Sequence, residues 1–203
     1  MKKLNRLTAK MMLVDLELLT DAEIYERVMR DEIPNAKRSV LIATALVKQT
    51  TVEMDSGKSA PFLRLAEALG RRGVRVDLLI AGTPSAGFIK SLAEVQGTSP
   101  HLRIRLCARN HMKVVLIDGR RLYLGSANLT GAGMGLRSTH KRNFEFGVFT
   151  EDRRIIERIS DVIRRIWVEE PCADCRVKRL CFSEHQKLAE RLRVLPLSFQ
   201  FND

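Results

Sequence analysis

Apolar runs too short to be helices recur along this chain, and segments with helical periodicity alternate with the first of them and follow the last. Val40-Leu41-Ile42-Ala43 falls in a run over 39–46, and Val74 to Ile80 forms a second. Leu102 to Cys107 alternates with Arg103 and Arg105; Met112 to Ile117, Arg121 to Leu124 and Phe144 to Phe149 follow. Between them, helices are predicted to Asp31 behind a Thr20-Asp21 cap, from Pro61 to Gly70, and from Pro84 to Val95. Asp152 to Trp167 sets Ile155, Ile156, Ile159, Val162, Ile163 and Ile166 on one helical face. Such alternation predicts an α/β fold, a mixed β-sheet flanked by helices, over residues 1–169. Asp118-Gly119 between two of the runs predicts a hairpin turn.

Charge narrows the partners. With 35 Lys and Arg against 24 Asp and Glu the formal net charge is +11, which favours polyanions such as nucleic acid or the anionic face of a membrane. No run approaches the roughly 20 apolar residues of a membrane span. The basic start, Met1-Lys2-Lys3-Leu4-Asn5-Arg6, is followed by a stretch broken by Asp15 and Glu17, which is not the pattern of a signal peptide. The expectation is a cytoplasmic protein.

The chemistry is concentrated between His111 and Asn128. His111 and Lys113 are two apart at the start of a strand, so their side chains project to the same side. An imidazole beside an ammonium offers a nucleophile or acid-base group next to a clamp for phosphate. The hairpin then returns Gly125-Ser126-Ala127-Asn128 to the same end of the sheet, bringing a hydroxyl, an amide and a predicted helix N-terminus that would attract an anion. Gly57-Lys58-Ser59 looks like the end of a nucleotide-binding P-loop, but the earlier glycine such a loop needs is Val52, so no ATP site is expected.

His111, Lys113, Asp118, Gly125, Ser126 and Asn128 together resemble the His-Lys-Asp signature of the phospholipase D superfamily, and the pattern from Ser39 to Trp167 is compatible with that family's domain. The resemblance implies a phosphodiesterase in which His111 is the nucleophile that forms a phosphohistidine. It implies Lys113 and Asn128 as phosphate ligands and Ser126 as an orienting group. Asp118, at the far end of the strand, reads as a turn or structural residue. Glu145, in Asn143-Phe144-Glu145, is similar to the family's acidic residue that orients the histidine, although an ordinary strand carboxylate would look the same.

One histidine attacks phosphorus in that mechanism and a second protonates the leaving oxygen. The chain has four histidines, and His101, His140 and His185 lack the motif spacing. A homodimer that brings two copies of His111 together on its axis supplies the second. No catalytic cofactor is implied. The favoured substrate is a nucleic-acid phosphodiester, DNA or RNA, cut by an endonuclease. Hydrolysis or transfer of a phosphatidyl group is the alternative, and a catalytically inactive nucleic-acid-binding module is a third. Aromatic residues make up only 5% of the chain, so a grip on the backbone is expected before base readout.

Residues 170–203 form a small Cys-containing C-terminal tail. Cys172, Cys175, Cys181 and His185 supply four ligands in a short span, as a structural zinc knuckle requires. The tail reads as too polar and basic to order itself by apolar burial alone, so a metal would give it a reason to fold. Three unremarkable thiols would give the same sequence. An iron–sulfur site would need Cys107, far away in the chain, to lie beside the trio.

Overall fold

The computed structural model describes residues 14–54, 57–95 and 101–192. The basic N-terminal stretch and the end of the tail lie outside these. Within them runs a seven-stranded mixed sheet in the order β1-β9-β8-β7-β2-β5-β6. Its strands are β1 (Glu17–Thr20), β2 (Ser39–Thr44), β5 (Arg75–Ile80), β6 (Leu102–Leu106), β7 (Lys113–Ile117), β8 (Arg121–Gly125) and β9 (Phe146–Thr150). β2, β5 and β6 are parallel, and every other neighbouring pair is antiparallel. A separate short hairpin, β3 (Thr51–Glu53) with β4 (Ser59–Pro61), holds Lys58 in an exposed position away from any phosphate loop.

Helices cover both faces. α4 (Arg153–Trp167) is started by the Asp152 carboxylate, which accepts the N–H groups of Arg154 and Ile155. Its isoleucine stripe lies on Ala43, Leu79, Val114 and Leu122. The opposite face carries α1 (Ala22–Ile24), which continues as a π-helix over Tyr25–Glu32, together with α2 (Phe62–Arg71) and α3 (Ala86–Val95).

Several expectations shift at their edges. Pro61 sits at the N-cap of α2 rather than inside it, and Gly70 is buried within the helix. The helix stops at Arg72 and Gly73, where φ reaches +78°, a conformation open to glycine. Asp21 does not cap α1 with its side chain. Its Oδ1 instead accepts the Glu145 N–H at 3.0 Å, which joins the start of the first helix to the start of β9.

The tail is helical. α5 (Lys178–Leu192) buries Leu188 and Leu192 in the same core as α1 to α3, so apolar burial contributes to ordering a segment read as too polar to fold by it alone. Each leucine contributes on the order of 2 kcal/mol by leaving water. Glu184 anchors the helix to the loop between β5 and α3 by accepting the Thr83 N–H at 2.7 Å and the Thr83 hydroxyl at 2.6 Å. The Lys187 ammonium and these two bonds hold the Glu184 carboxyl at about 2.

Asp118 ties the hairpin to the central strand. Asp118 and Gly119 both take positive φ, as a type I′ turn demands. The Asp118 carboxylate accepts N–H bonds from Lys37, Arg38 and Ser39, at 2.7 Å for Arg38, and pairs with Arg121 at 3.2 Å. Burial would push this carboxyl up, but the three backbone donors and then Arg121 outweigh it and hold it below its usual value. Its stabilisation is therefore complete above the ordinary carboxylate value near 3.9 and is lost as pH falls through the lower folded value. Asp118→Asn is expected to cost about 2 kcal/mol at neutral pH. In denaturant titrations the gap between mutant and wild type should shrink below about pH 4; a gap constant with pH would count against the carboxylate's role.

Candidate active site

The site lies at the edge where β2 ends and β7 begins. The register pairs Thr44 with Lys113 between β2 and β7 and Gly125 with Gly147 between β8 and β9. Residues just beyond these strand ends, His111, Ser126, Asn128 and Glu145, are thereby gathered at one end of the sheet. Asp118 sits at the opposite end, a five-residue strand away.

Lys113 and His111 meet directly. Lys113 Nζ stands 3.2 Å from both ring nitrogens of His111 and donates to its carbonyl oxygen at 2.9 Å. The ammonium is thus held over the imidazole, where the two can face one anion.

Asn110 fixes the approach to His111. This buried side chain donates through Nδ2 to the carbonyls of Thr44 at 3.1 Å and Leu79 at 2.8 Å, and its Oδ1 accepts the Met112 N–H at 3.1 Å. It closes the gap between the ends of β2 and β5 and the start of β7. Sequence reasoning passed over it, and its position directly before the histidine is the only signal it offers in the sequence.

Asn128 is oriented by Thr44 and Leu46. Its Oδ1 accepts the Leu46 N–H at 3.0 Å and the Thr44 hydroxyl at 3.2 Å, and Thr44 Oγ1 accepts the Leu129 N–H at 3.1 Å. A backbone N–H can only donate, so the atom facing it must be the amide oxygen. The Asn128 NH2 group is therefore the half left to donate to an anion. No helix follows: 131–135 is a run of hydrogen-bonded turns, so the expected helix N-terminus is absent.

Ser126 joins the motif to β9. Its hydroxyl is hydrogen-bonded to a Glu145 carboxylate oxygen, and its Oγ accepts the Phe146 N–H at 3.1 Å. Glu145, read from the sequence as the group orienting the histidine, also accepts from Asn143 Nδ2 at 2.9 Å. Within one chain its bonds run to Ser126 and Asn143.

Beneath these groups lies Tyr123, whose hydroxyl is pushed up to about 12, chiefly by burial. The ring requires glycine at both partners of the last β8–β9 pair. A Cβ on Gly125 would lie 2.5 Å from the Tyr123 hydroxyl oxygen and 2.6 Å from the Phe146 carbonyl oxygen, and one on Gly147 would lie 2.4 Å from the ring.

Of the residues singled out in the tail, Cys172, Cys175 and Cys181 lie on the α4–α5 connection and the first turns of α5. His185 is on α5, close to the backbone of Leu106. Among the described residues no three His, Cys, Asp or Glu side chains stand ready to hold a single metal ion.

A histidine, a lysine and an asparagine brought together at the end of a mixed sheet flanked by helices fit the phospholipase D superfamily of phosphodiesterases. The chain belongs to this superfamily: the family model described as "Cardiolipin synthase, PLD-like domain" matches residues 29–167. In structure it is similar to Nuc, a phospholipase D family member from Salmonella typhimurium, with 19% identity over 75% of this chain and 93% of that one and a TM-score of 0.56. It is also similar to NucT from Helicobacter pylori, with 17% identity over 75% of this chain and 95% of that one and a TM-score of 0.53. Phosphatidylserine synthase from Haemophilus influenzae Rd KW20 shares 15% identity over 74% of this chain and 38% of that one, with a TM-score of 0.53. No curated protein matches in sequence.

Gly125→Ala should destabilise the fold by roughly 1–3 kcal/mol, because the new methyl meets backbone atoms that cannot rotate away. Thermal unfolding followed by circular dichroism tests this; an unchanged midpoint would mean that the sheet end yields more easily than its geometry implies.

Proposed function

We propose that this phosphodiesterase is an endonuclease acting on DNA or RNA through a covalent phosphohistidine, as a homodimer whose two copies of His111 share one site. The observation that carries the reading is the His111–Lys113 contact at 3.2 Å beside an oriented Asn128, with one such set per chain. A ring nitrogen of one His111 attacks phosphorus, and the leaving oxygen departs with a proton from the second His111. Water, losing its proton to that second histidine, then attacks the phosphohistidine and restores the first. Lys113 and Asn128 donate to the non-bridging oxygens, which leaves no step that needs a divalent ion or other cofactor.

Nucleic acid is favoured by the loop between Asn128 and Glu145, which exposes Arg137, His140 and Lys141 beside the site, and by the net charge of +11. These charges can track a phosphate backbone without reading bases. The shared site is supported by the apolar surface next to it: Phe144 is 94% exposed, and Leu18 and Phe146 are each 65% exposed. Leu18 and Phe146 continue the sheet face that α4 covers further along, so a second copy has apolar area to bury. The same aromatics favour a second reading, in which they enter a bilayer and the substrate is a phospholipid. Among the described residues no helix is long and apolar enough to cross a membrane. A catalytically inactive binding module is disfavoured because every motif side chain is present.

Labelled DNA, RNA and phosphatidylcholine vesicles, each incubated with the protein in EDTA, separate these readings. Cleavage of nucleic acid is expected, and turnover of lipid alone would overturn the proposal. His111→Ala and Lys113→Ala should each lower activity by roughly 10³-fold or more with the fold unchanged by circular dichroism. When wild type exchanges subunits with excess His111→Ala chains, activity per wild-type chain should fall steeply. Activity proportional to wild-type chains despite proven exchange would place a complete site in each monomer, with His140 as its second acid.

A further inference from the structure

The loop that delivers His111 begins at Cys107, and the other three cysteines of the chain come to meet it. Cys107 follows β6, with its N–H bonded to the Ile80 carbonyl at 2.9 Å. Cys181, on α5, accepts the Ala108 N–H through Sγ at 3.2 Å, which seats it against the residue after Cys107. Cys107 is within electrostatic reach of Cys175 and Cys181, and Cys172 within that of Cys107 and Cys175. All four thiols are free. Cys107, Cys172 and Cys175 line one open cavity of about 270 Å³ together with Arg109, Arg165 and Ile166.

Each of three sulfurs also has a backbone donor. Cys107 receives N–H bonds from Arg109 and Asn110, Cys175 from Val177, and Cys181 from Ala108. Arg105 lies near Cys172, and Arg109 and Lys178 near Cys175. Burial pushes the free Cys107 and Cys172 thiols up, so their protons would leave only as a metal binds. Closing on one zinc at about 2.3 Å would bring the sulfurs roughly 3.8 Å apart. No three ligand side chains among the described residues stand ready for a single ion, while a cavity opens between three of the cysteines.

We infer that Cys107, Cys172, Cys175 and Cys181 form a four-thiolate site for an iron–sulfur cluster, with Cys107 in place of His185 as the fourth ligand. Cysteine is the usual ligand of such clusters, and hydrogen bonds to sulfur tune them. The cluster clamps α5 and the α4–α5 connection onto the segment Cys107-Ala108-Arg109-Asn110, and Asn110 in turn places His111. Its role is therefore to hold the loop carrying the catalytic histidine.

The test uses the whole chain, purified without oxygen or reconstituted with ferrous iron and sulfide. Iron and acid-labile sulfide should be found in equal amounts, with a visible absorption band that dithionite bleaches. Cys107→Ser and Cys175→Ser should each lose iron and band, and His185→Ala should keep both. Cys175 is the control for folding, since its side chain lies at the surface end of the cavity and not in the sheet; circular dichroism verifies that this variant is folded. Stoichiometric zinc without sulfide, no metal after reconstitution, or iron retained in a folded Cys107→Ser protein would each overturn the assignment.

Discussion

Lys113 lies opposite Thr44 in the antiparallel pair β2–β7, and the rest of the site depends on that register. It places Lys113 on the same end of the sheet as the Thr44 hydroxyl that helps orient Asn128. Slipping by one residue would turn Lys113 toward α4 and bring apolar residues to the mouth. The register is locked at both ends of the strand pair. Asp118 grips the start of β2 with its carboxylate, and Asn110 binds the carbonyl of Thr44 where β2 ends. The two clamps work through backbone groups, so they set geometry without adding charge to the surface that faces substrate.

The core is divided unequally by the sheet. α4 alone shields one face, and its stripe ends short of Leu18 and Phe146, while four helical segments fill the other. His111, Lys113 and Asn128 stand beside the uncovered corner. An apolar area thus borders the loop that exposes Arg137, His140 and Lys141, and the proposed sharing of the site rests on that adjacency.

Much of this was legible in the residues, and the exceptions have physical causes. The Asp118-Gly119 turn, the central strands and α4 declare themselves through turn chemistry and long, clean periodicity. β1 offers only the short Glu17-Leu18-Leu19-Thr20, and β3 and β4 carry almost no apolar pattern, so their pairing comes from tertiary context. α5 hides because only Leu188 and Leu192 are buried along its length, and its docking relies on Glu184 finding Thr83 far away in the chain. At the site, the motif names the side chains that meet at the sheet end but not what aims them. Thr44 and Asn110 act through backbone carbonyls and a second side chain, contacts that have no spacing to recognise. The approach of Cys107 to the tail cysteines is invisible for the same reason, since it depends on where β6 ends in space.

Gly125, Gly147 and Tyr123 form a single unit under the catalytic end: one ring fills the space that two absent side chains leave. None of the three can enlarge alone, because the volume is shared and the surrounding atoms are backbone. Positions 125 and 147 should therefore stay glycine among relatives, since a smaller residue at 123 would clear the ring but not the backbone atoms. In that sense the floor beneath His111 and Asn128 is inherited as one piece, and a designer wishing to reshape it must move the β8–β9 backbone as well as the ring.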